Sequence, residues 1–303
     1  MNRFFSQELK DLWIQIAQGD LDYYRSAPKP VGASVSRDHA YALSENKMQQ
    51  LEIIRPAGNK SVLPVIVHIH GGGWIYGHKD SYYKYYCMEL AKHGYTVLNV
   101  NYRLAFDDPF PACIHDLFMV FEWMTQHAAQ QKLDLKNVFL VGDSAGAHLA
   151  ALCAQIHASS DLQKRFGVTP SAITIKALGL SCGVYDFDRH IQDDKDPMTL
   201  LMFKTVFGRS DFRRHPLYRF SSVSKNLDKS FPPAYVLSTK SDVPLILETQ
   251  AFIKELKAQH LNFKARILPK KDKLYHVFNI KLIYPQSVEV MDELCAFFQA
   301  FTS

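Results

Sequence analysis

Two glycine-rich motifs, about seventy residues apart, constrain the fold of this chain more than any other feature. Residues 70–74 read His-Gly-Gly-Gly-Trp, and residues 142–146 read Gly-Asp-Ser-Ala-Gly. Each motif follows an apolar run typical of a buried strand, and a helical pattern starts directly after the second. A serine between two glycines at such a strand-to-helix turn is typical of a nucleophile elbow. The second motif therefore predicts a tight turn that presents the hydroxyl of Ser144 at the beginning of a helix.

The triple glycine predicts a nest of backbone N–H groups rather than an ordinary turn. Three successive glycines cost backbone entropy, so a turn that needs only flexibility rarely uses them. In hydrolases with a nucleophile elbow, such N–H groups join that of the residue after the nucleophile to hold an oxyanion. This pattern assigns the oxyanion hole to Gly72, Gly73 and Ala145. The run lacks the spacing of nucleotide-binding loops, so we do not predict a phosphate site.

Apolar runs and helical patterns alternate along most of the chain. The runs predict strands at residues 51–55, 62–70, 95–101, 138–141, 173–180, 234–238 and 263–268. Helical periodicity falls between them, at residues 82–93, 112–129, 144–157, 245–259 and 287–301. Strands that alternate with helices indicate βαβ units and a sheet covered on both faces. The sequence therefore predicts an α/β fold with a mostly parallel central sheet flanked by helices.

Two segments depart from this alternation. Residues 1–45 read as helical and irregular, with apolar side chains at helical spacing between residues 9 and 16. An insertion at about residues 184–230 is rich in Asp, Arg and Lys and carries a helical patch at residues 199–207. We expect these two segments to form a helical cap, or lid, over a catalytic domain at residues 46–303.

Bulk properties exclude several classes of protein. The net charge is only +5 across 303 residues and the basic residues are scattered, so we expect no nucleic-acid partner. No apolar run approaches the roughly 18 residues that a membrane-spanning helix needs, and the N-terminus is charged where a signal peptide is apolar. The five cysteines are dispersed, which favours free thiols in a reducing compartment. We expect a cytoplasmic protein that acts on a small molecule, and the sequence leaves a homodimer open.

A serine hydroxyl becomes a strong nucleophile only when a base takes its proton. In folds with this elbow, a carboxylate and then a histidine follow the serine along the chain. His276 lies in a loop between the last predicted strand and the last helix, where it can reach the edge of the sheet that carries Ser144. Asp242 is the carboxylate in the loop after the strand at residues 234–238, and Glu248 in the next helix is the alternative acid.

Several other aromatic and histidine residues are candidates for packing or for a role at the site. Trp74 and Tyr76 adjoin the triple glycine and are candidates for the walls of an apolar substrate pocket, with simple packing as the alternative. His148 and His157 lie on the helix that begins at the elbow, where we expect them to pack or to face solvent. His190 falls in the predicted lid.

These motifs together resemble the hormone-sensitive-lipase-like carboxylesterases of the α/β-hydrolase superfamily. The resemblance rests on the two glycine-rich motifs, on Tyr-Arg-Leu-Ala at residues 102–105, on Pro-Phe-Pro-Ala at residues 109–112, and on His-Val-Phe at residues 276–278. It covers about residues 50–300. The joint pattern is specific, whereas the elbow alone is not.

The resemblance implies a serine esterase that hydrolyses short-chain acyl esters without a metal or a cofactor. It assigns the roles of nucleophile, acid and base to Ser144, Asp242 and His276, and it keeps the three oxyanion donors given above. It also implies a cap that is built partly from the N-terminal segment.

The chain departs from the family pattern at three places. Asp-Val-Pro-Leu at residues 242–245 is one residue longer than the usual Asp-Pro-Leu, and residues 105–108 read Ala-Phe-Asp-Asp in place of the usual Ala-Pro-Glu. The pair Ala147 and His148 is similar to arylformamidases, which makes amide-like formyl substrates the alternative. A non-catalytic ligand-binding protein on the same fold is a further alternative, which the presence of all three triad candidates disfavours.

Overall fold

The computed structural model describes residues 3–243 and 245–303. Within them, a single sheet of eight strands has the spatial order β1-β2-β4-β3-β5-β6-β7-β8. The strands are β1 Ala33–Ala40, β2 Gln50–Pro56, β3 Leu63–Ile69, β4 Thr96–Val100, β5 Leu133–Asp143, β6 Ile175–Ser181, β7 Ala234–Thr239 and β8 Phe263–Leu268. Strand β2 runs antiparallel to both β1 and β4, and every other neighbouring pair is parallel. The predicted α/β fold with a mostly parallel sheet is confirmed.

Helices cover both faces of this sheet. In the described residues they are α1 Arg3–Ser26, α2 Tyr82–Lys92, α3 Ala112–Gln131, α4 Ala145–Ala158, α5 Ser160–Phe166, α6 Phe187–Asp194, α7 Pro197–Val206, α8 Tyr218–Ser221, α9 Leu245–Ala258 and α10 Pro285–Gln299. Side chains of α2 and α10 belong to one apolar core, and those of α3, α4 and α9 belong to the other. None of the described helices combines the length and the apolar character needed to cross a membrane.

Strands β3 and β5 bring the two glycine-rich motifs together. They are parallel neighbours, and Ile69 at the end of β3 pairs with Gly142 near the end of β5. The central residues of both strands are buried because helices cover both faces of the sheet, which explains their nearly continuous apolar sequence. Since parallel strands end at the same edge, the loops that follow β3, β5, β7 and β8 share one side of the molecule.

Strand β1 was not expected from the sequence, which reads as helical and irregular up to residue 45. It forms the outer edge of the sheet and pairs only with β2 among the described strands. Its sequence is mostly polar, and its pairing is interrupted between Ser36 and His39, where Asp38 has φ 58°. Polar, irregular edge strands protect a sheet from pairing with other chains. Such a strand lacks the alternation of apolar and polar residues by which strands are recognised in a sequence.

The insertion folds into α6, α7 and α8, with short 3-10 turns between and after them. The predicted helical patch at residues 199–207 corresponds to α7. Asp186 and Asp196 cap α6 and α7, since each carboxylate accepts backbone N–H bonds from the first turn. A cluster of aromatic rings holds the insertion together, among them Phe187, Phe203 and Phe207. The division into a catalytic domain and cap segments stays a prediction.

His148 connects the elbow helix to both the glycine loop and the insertion. Trp74 Nε1–H donates to His148 Nδ1 at 3.1 Å, and His148 Nε2–H donates to the carbonyl of Ser221 at 2.7 Å. The ring is fully buried, and burial lowers the pKa of His148 to about 4. The imidazole is therefore neutral near neutral pH. The sequence left open whether His148 packs or faces solvent, and the structure shows that it packs.

Replacing His148 by leucine should destabilise the fold. The His148→Leu variant leaves the indole N–H of Trp74 and the carbonyl of Ser221 buried without partners, at a cost of about 1–3 kcal/mol each. We expect the free energy of unfolding, measured by urea denaturation, to fall by about 2–4 kcal/mol. His157→Leu is a matched control on the same helix, because among the described residues that half-buried ring makes one hydrogen bond, to the Ser171 carbonyl. Equal losses in both variants would contradict this account.

Candidate active site

The serine predicted as the nucleophile lies in a strained turn between β5 and α4. Ser144 has φ 52° and ψ −120°, a conformation that residues with a side chain rarely adopt. Its backbone N–H donates to the carbonyl of Ser181 at 2.8 Å, which fixes the turn against β6. Its side chain borders a pocket. The strand, turn and helix have the form expected of a nucleophile elbow.

The two glycine-rich motifs pack against each other backbone to backbone. A Cβ atom on Gly146 would collide with the carbonyl oxygens of Ile69 and His70, at the end of β3. A Cβ atom on Gly71 would collide with the side chain of Asp143, one residue before the serine. Side chains at these positions would force the loop after β3 away from the elbow. The glycines therefore allow the close approach of two segments that are distant in sequence.

The glycine loop and the residue after Ser144 carry backbone N–H groups that have no acceptor among the described residues. The carbonyl of Gly72 accepts bonds from the N–H groups of Ile75 and Tyr76, at 3.1 and 2.9 Å, and so closes a turn. Within the described ranges, the N–H groups of Gly72, Gly73 and Ala145 donate no hydrogen bond to the protein. Gly72 and Gly73 both have positive φ, +109° and +58°, which glycine adopts readily. These N–H groups are available to a ligand.

The Tyr-Arg-Leu-Ala motif at residues 102–105, in the segment after β4, supports the glycine loop. The hydroxyl of Tyr102 donates to the carbonyl of His70 at 2.9 Å, and the two rings stack with centroids 4.3 Å apart. The backbone N–H of Ala105 donates to the carbonyl of Trp74 at 2.9 Å. The motif thus holds the loop at both of its ends.

The predicted acid and base form a hydrogen-bonded pair. Nδ1 of His276 lies 3.0 Å from Oδ1 of Asp242. Asp242, in the loop after β7, is buried, whereas His276, in the loop after β8, keeps 39% of its side chain exposed. The alternative acid, Glu248, accepts backbone bonds at the start of α6 and pairs with Arg189 at 2.6 Å. Of the two carboxylates, the structure therefore brings Asp242 to the histidine.

The pKa of His276 is raised above its ordinary value. Burial of part of the ring acts to lower the pKa, but the hydrogen bond and charge of Asp242, with the charge of Asp143, outweigh that effect. The bond at Nδ1 leaves Nε2 as the nitrogen that can exchange a proton with another group. In the described part of the chain, the Ser144 hydroxyl makes no hydrogen bond to this ring. Such contacts often tighten only when substrate binds.

Asp143 is a buried carboxyl group to which the sequence analysis gave no role. Its Oδ2 accepts a bond from the hydroxyl of Tyr83 at 3.0 Å, and that hydroxyl accepts the N–H of Gly71 at 3.1 Å. Its Oδ1 has no hydrogen-bond partner among the described residues. Burial raises the pKa of Asp143 to about 7, although the Tyr83 bond and the nearby His276 act to lower it. The group couples the glycine loop electrostatically to the histidine.

The same region contains a set of side chains that could ligate a metal. Cys182, Asp242 and His276 each offer one ligand atom, and these atoms lie within 4.8 Å of one another. Burial raises the pKa of the Cys182 thiol well above its ordinary value, so the thiolate that a metal requires is disfavoured. Since Asp242 is already bonded to His276, the set fits an acid–base pair beside a neutral thiol better than a metal site.

A pocket of about 180 Å³ opens onto Ser144. Gly73, Ser144 and Ala145 all line it, so the serine shares this pocket with two of the residues whose N–H groups have no acceptor among the described residues. Its walls come from α1, the glycine loop, the insertion and the start of α9; they include Trp13, Trp74, His190, Asp194, Met202 and Leu245. The pocket is therefore enclosed by segments from distant parts of the chain.

Only one of the two aromatic candidates lines this pocket. Trp74 does so, whereas the ring of Tyr76 stacks on Trp13 with centroids 5.3 Å apart and its hydroxyl donates to Asp20 at 3.0 Å. Tyr76 therefore supports a lining residue. Trp13 was not singled out from the sequence, where its only signal is the helical spacing of apolar residues in α1. Contact of Trp74 or Tyr76 with substrate stays a prediction.

Known proteins resemble this chain in sequence. The model of the BD-FAE family matches residues 51–255. Carboxylesterase NlhH of Mycobacterium tuberculosis is 36% identical over 94 residues, which cover 31% of this chain and 30% of that protein. Esterase LipI of the same organism is 36% identical over 92 residues, which cover 30% of this chain and 29% of that protein. The chain thus spans less than a third of the length of these curated relatives.

Known structures resemble this chain over nearly its whole length. Esterase B of Lactobacillus rhamnosis superposes with a TM-score of 0.91 at 29% identity, covering 99% of this chain and 95% of that one. The predicted resemblance to hormone-sensitive-lipase-like carboxylesterases is confirmed by these relatives. Because the family model matches more than half of the residues, this chain is a member of the BD-FAE family and has the α/β-hydrolase fold.

Proposed function

We propose that this protein is a serine carboxylesterase that hydrolyses short-chain acyl esters. Ser144 is the nucleophile, His276 the general base, and Asp242 the acid that orients the imidazole. One observation carries this assignment. The serine in the strained turn shares a pocket with backbone N–H groups that have no acceptor in the described part of the chain, and His276 is bonded to a carboxylate at 3.0 Å. Nucleophile, base and oxyanion donors are the three parts that acyl transfer needs.

The reaction follows from the positions of these groups. Oγ of Ser144 attacks the ester carbonyl carbon while Nε2 of His276 takes its proton. The N–H groups of Gly72, Gly73 and Ala145 donate to the oxygen that becomes negative. His276 then gives the proton to the departing alcohol, and water cleaves the acyl-enzyme by the same route.

The size and character of the pocket support a short acyl chain. Its volume of about 180 Å³ is below the roughly 300–1,000 Å³ of sites for drug-sized ligands. Its walls are largely apolar, as an acyl chain requires. Esterase B of Lactobacillus rhamnosis is inhibited by a tributyrin phosphonate, and NlhH and LipI are named as esterases, which supports the same class of substrate.

We also propose that residues 1–45 and about 184–230 contribute a cap over a catalytic domain at residues 46–303. The pocket supports this division, since α1, α6 and α7 all contribute walls. The strand β1 lies within the first segment but belongs to the sheet, so the cap itself is formed by α1 and the insertion.

No structural observation favours formamide hydrolysis or a purely binding function. The resemblance to arylformamidases rests on Ala147 and His148, and His148 is buried behind Trp74 with both ring nitrogens bonded. A binding protein has no need for the paired Asp242 and His276. The proposed partner is therefore a small ester.

Removal of the nucleophile tests the proposal directly. Ser144→Ala should lower kcat on a chromogenic acetate or butyrate ester by about 10⁶-fold, because only the oxyanion donors and binding remain. Ser238→Ala is the matched control, since that buried serine in β7 does not line the pocket and its hydroxyl has no partner among the residues that the structure describes. Near-normal turnover by Ser144→Ala, with the control also active, would rule out the assignment.

A methyl group on the glycine loop tests the oxyanion hole. Gly72→Ala places a Cβ atom against the carbonyl of Tyr76, at a residue with φ +109°. We expect kcat/KM to fall by about 10²–10³-fold, the typical effect of losing one oxyanion donor. In Gly94→Ala the φ is similar, +93°, and among the described residues beyond its chain neighbours nothing lies within 4 Å of the added methyl. That control has comparable backbone strain away from the site, so equal losses of activity would contradict the proposal.

The raised pKa of His276 determines the sign of the pH dependence. A base must be neutral to take a proton, so activity is lost as the pH falls through this pKa. Although burial opposes it, the bond and charge of Asp242 raise the pKa, which puts the acidic limb of kcat/KM above about 6.5. Asp242→Asn should move this limb to lower pH and reduce kcat by up to about 10⁴-fold. An acidic limb at the same pH in Asp242→Asn as in the wild type would contradict the pairing of Asp242 with His276.

A further inference from the structure

The wall of the pocket that α6 contributes is polar. His190 and Asp194 both line the pocket that opens onto Ser144, and they are four residues apart on the same helix. Residues at this spacing lie on one face of a helix, which explains why both side chains reach the same pocket. Trp74, Met202 and Leu245 add apolar side chains to the lining of the same pocket. An apolar acyl chain alone gives no reason for this polar pair.

His190 has an unsatisfied hydrogen-bonding group. Only 5% of the residue is exposed, and Nδ1 has no partner in the part of the chain that the structure describes. Burial lowers the pKa of His190, although the charges of Asp194 and Asp193 oppose this shift. The ring is therefore neutral near neutral pH, with one nitrogen that donates and one that accepts. Folded proteins rarely bury such a group unpaired unless it serves a ligand or a reaction.

Asp194 supplies an acceptor beside this ring. Its Oδ2 accepts the hydroxyl of Thr199 at the start of α7, which fixes the carboxylate at the border of the pocket. A carboxylate only accepts hydrogen bonds, whereas a neutral imidazole can donate. A hydroxyl group matches both, since it donates one bond and accepts others. A methyl group in the same place would leave the buried Nδ1 of His190 without a partner.

We propose that His190 and Asp194 recognise a hydroxyl group of the substrate, so that the enzyme prefers hydroxylated esters. The inference rests on the proposed esterase function, because it places the recognised group in the same pocket as the nucleophile. The hydroxyl belongs to the acyl part or to the alcohol part of the ester. Both sources present the same chemistry to the pair.

Two pairs of esters of nearly equal shape separate these sources. On the acyl side, p-nitrophenyl 3-hydroxybutyrate is compared with p-nitrophenyl 3-methylbutyrate. On the alcohol side, 2,3-dihydroxypropyl butyrate is compared with 2-methylbutyl butyrate. We expect the purified full chain to show a kcat/KM about 10–100-fold higher for the hydroxylated member of one pair, because the other member leaves the buried imidazole of His190 unpaired.

Variants then assign this preference to the polar pair. His190→Leu should reduce the preference to within about three-fold by slowing only the hydroxylated ester, since the loss of one hydrogen-bonded contact accounts for most of the difference. Asp194→Asn should reduce it in the same direction. Met202→Leu is the matched control, because it alters an apolar wall of the same pocket and should leave the preference unchanged.

The outcomes are distinguishable. Rates within about two-fold for both members of both pairs in the wild type would overturn the inference while leaving the esterase proposal intact. Equal slowing of both members by His190→Leu would also overturn it, since that result indicates a structural role. No hydrolysis of any of the esters would instead reject the proposed function. Should His190→Leu fail to fold, the inference is tested by the wild-type comparison of the ester pairs and by the loss of preference in Asp194→Asn.

Discussion

The backbone contact between the loop after β3 and the turn after β5 is the constraint on which the rest of the site depends. Gly146 meets the carbonyl groups that end β3, and Gly71 meets the side chain of Asp143. Neither glycine tolerates a Cβ atom without displacing the other segment. This contact places the serine turn beside the triple glycine, and the pairing of Ile69 with Gly142 sets its register. The two motifs can therefore pack together only because each has a glycine where the other approaches.

Strain and unpaired polar groups concentrate around this contact. Residues with side chains adopt positive φ at four positions of the site: Trp74, Ser144, Cys182 and Val277. Within the described residues, buried oxygens of Asp143 and Asp242 also lack partners there. Each such feature costs stability, so its persistence needs the support of the surrounding sheet. The site thus combines local strain with a rigid scaffold, as preorganised electrostatic stabilisation requires.

The sequence predicted those features whose signals are local. The apolar runs of β3 and β5 mark strands buried on both faces, and the loops after β7 and β8 contained the residues that form the Asp242–His276 pair. The polar edge strand β1 had no period-two apolar pattern, so it was missed. The sequence could not predict which residues form the pocket walls. Trp13 and His190 line the same pocket because α1 and the insertion pack around the elbow. The role of each site residue stays a prediction.

Covalent trapping tests the central claim most directly. A p-nitrophenyl alkylphosphonate reacts with an activated serine and leaves a stable adduct whose position mass spectrometry of peptides can identify. The account predicts one adduct, on Ser144, formed at a rate that depends on His276 and is lost in His276→Ala. An adduct on another residue, or ester hydrolysis by a protein that forms none on Ser144, would contradict the account.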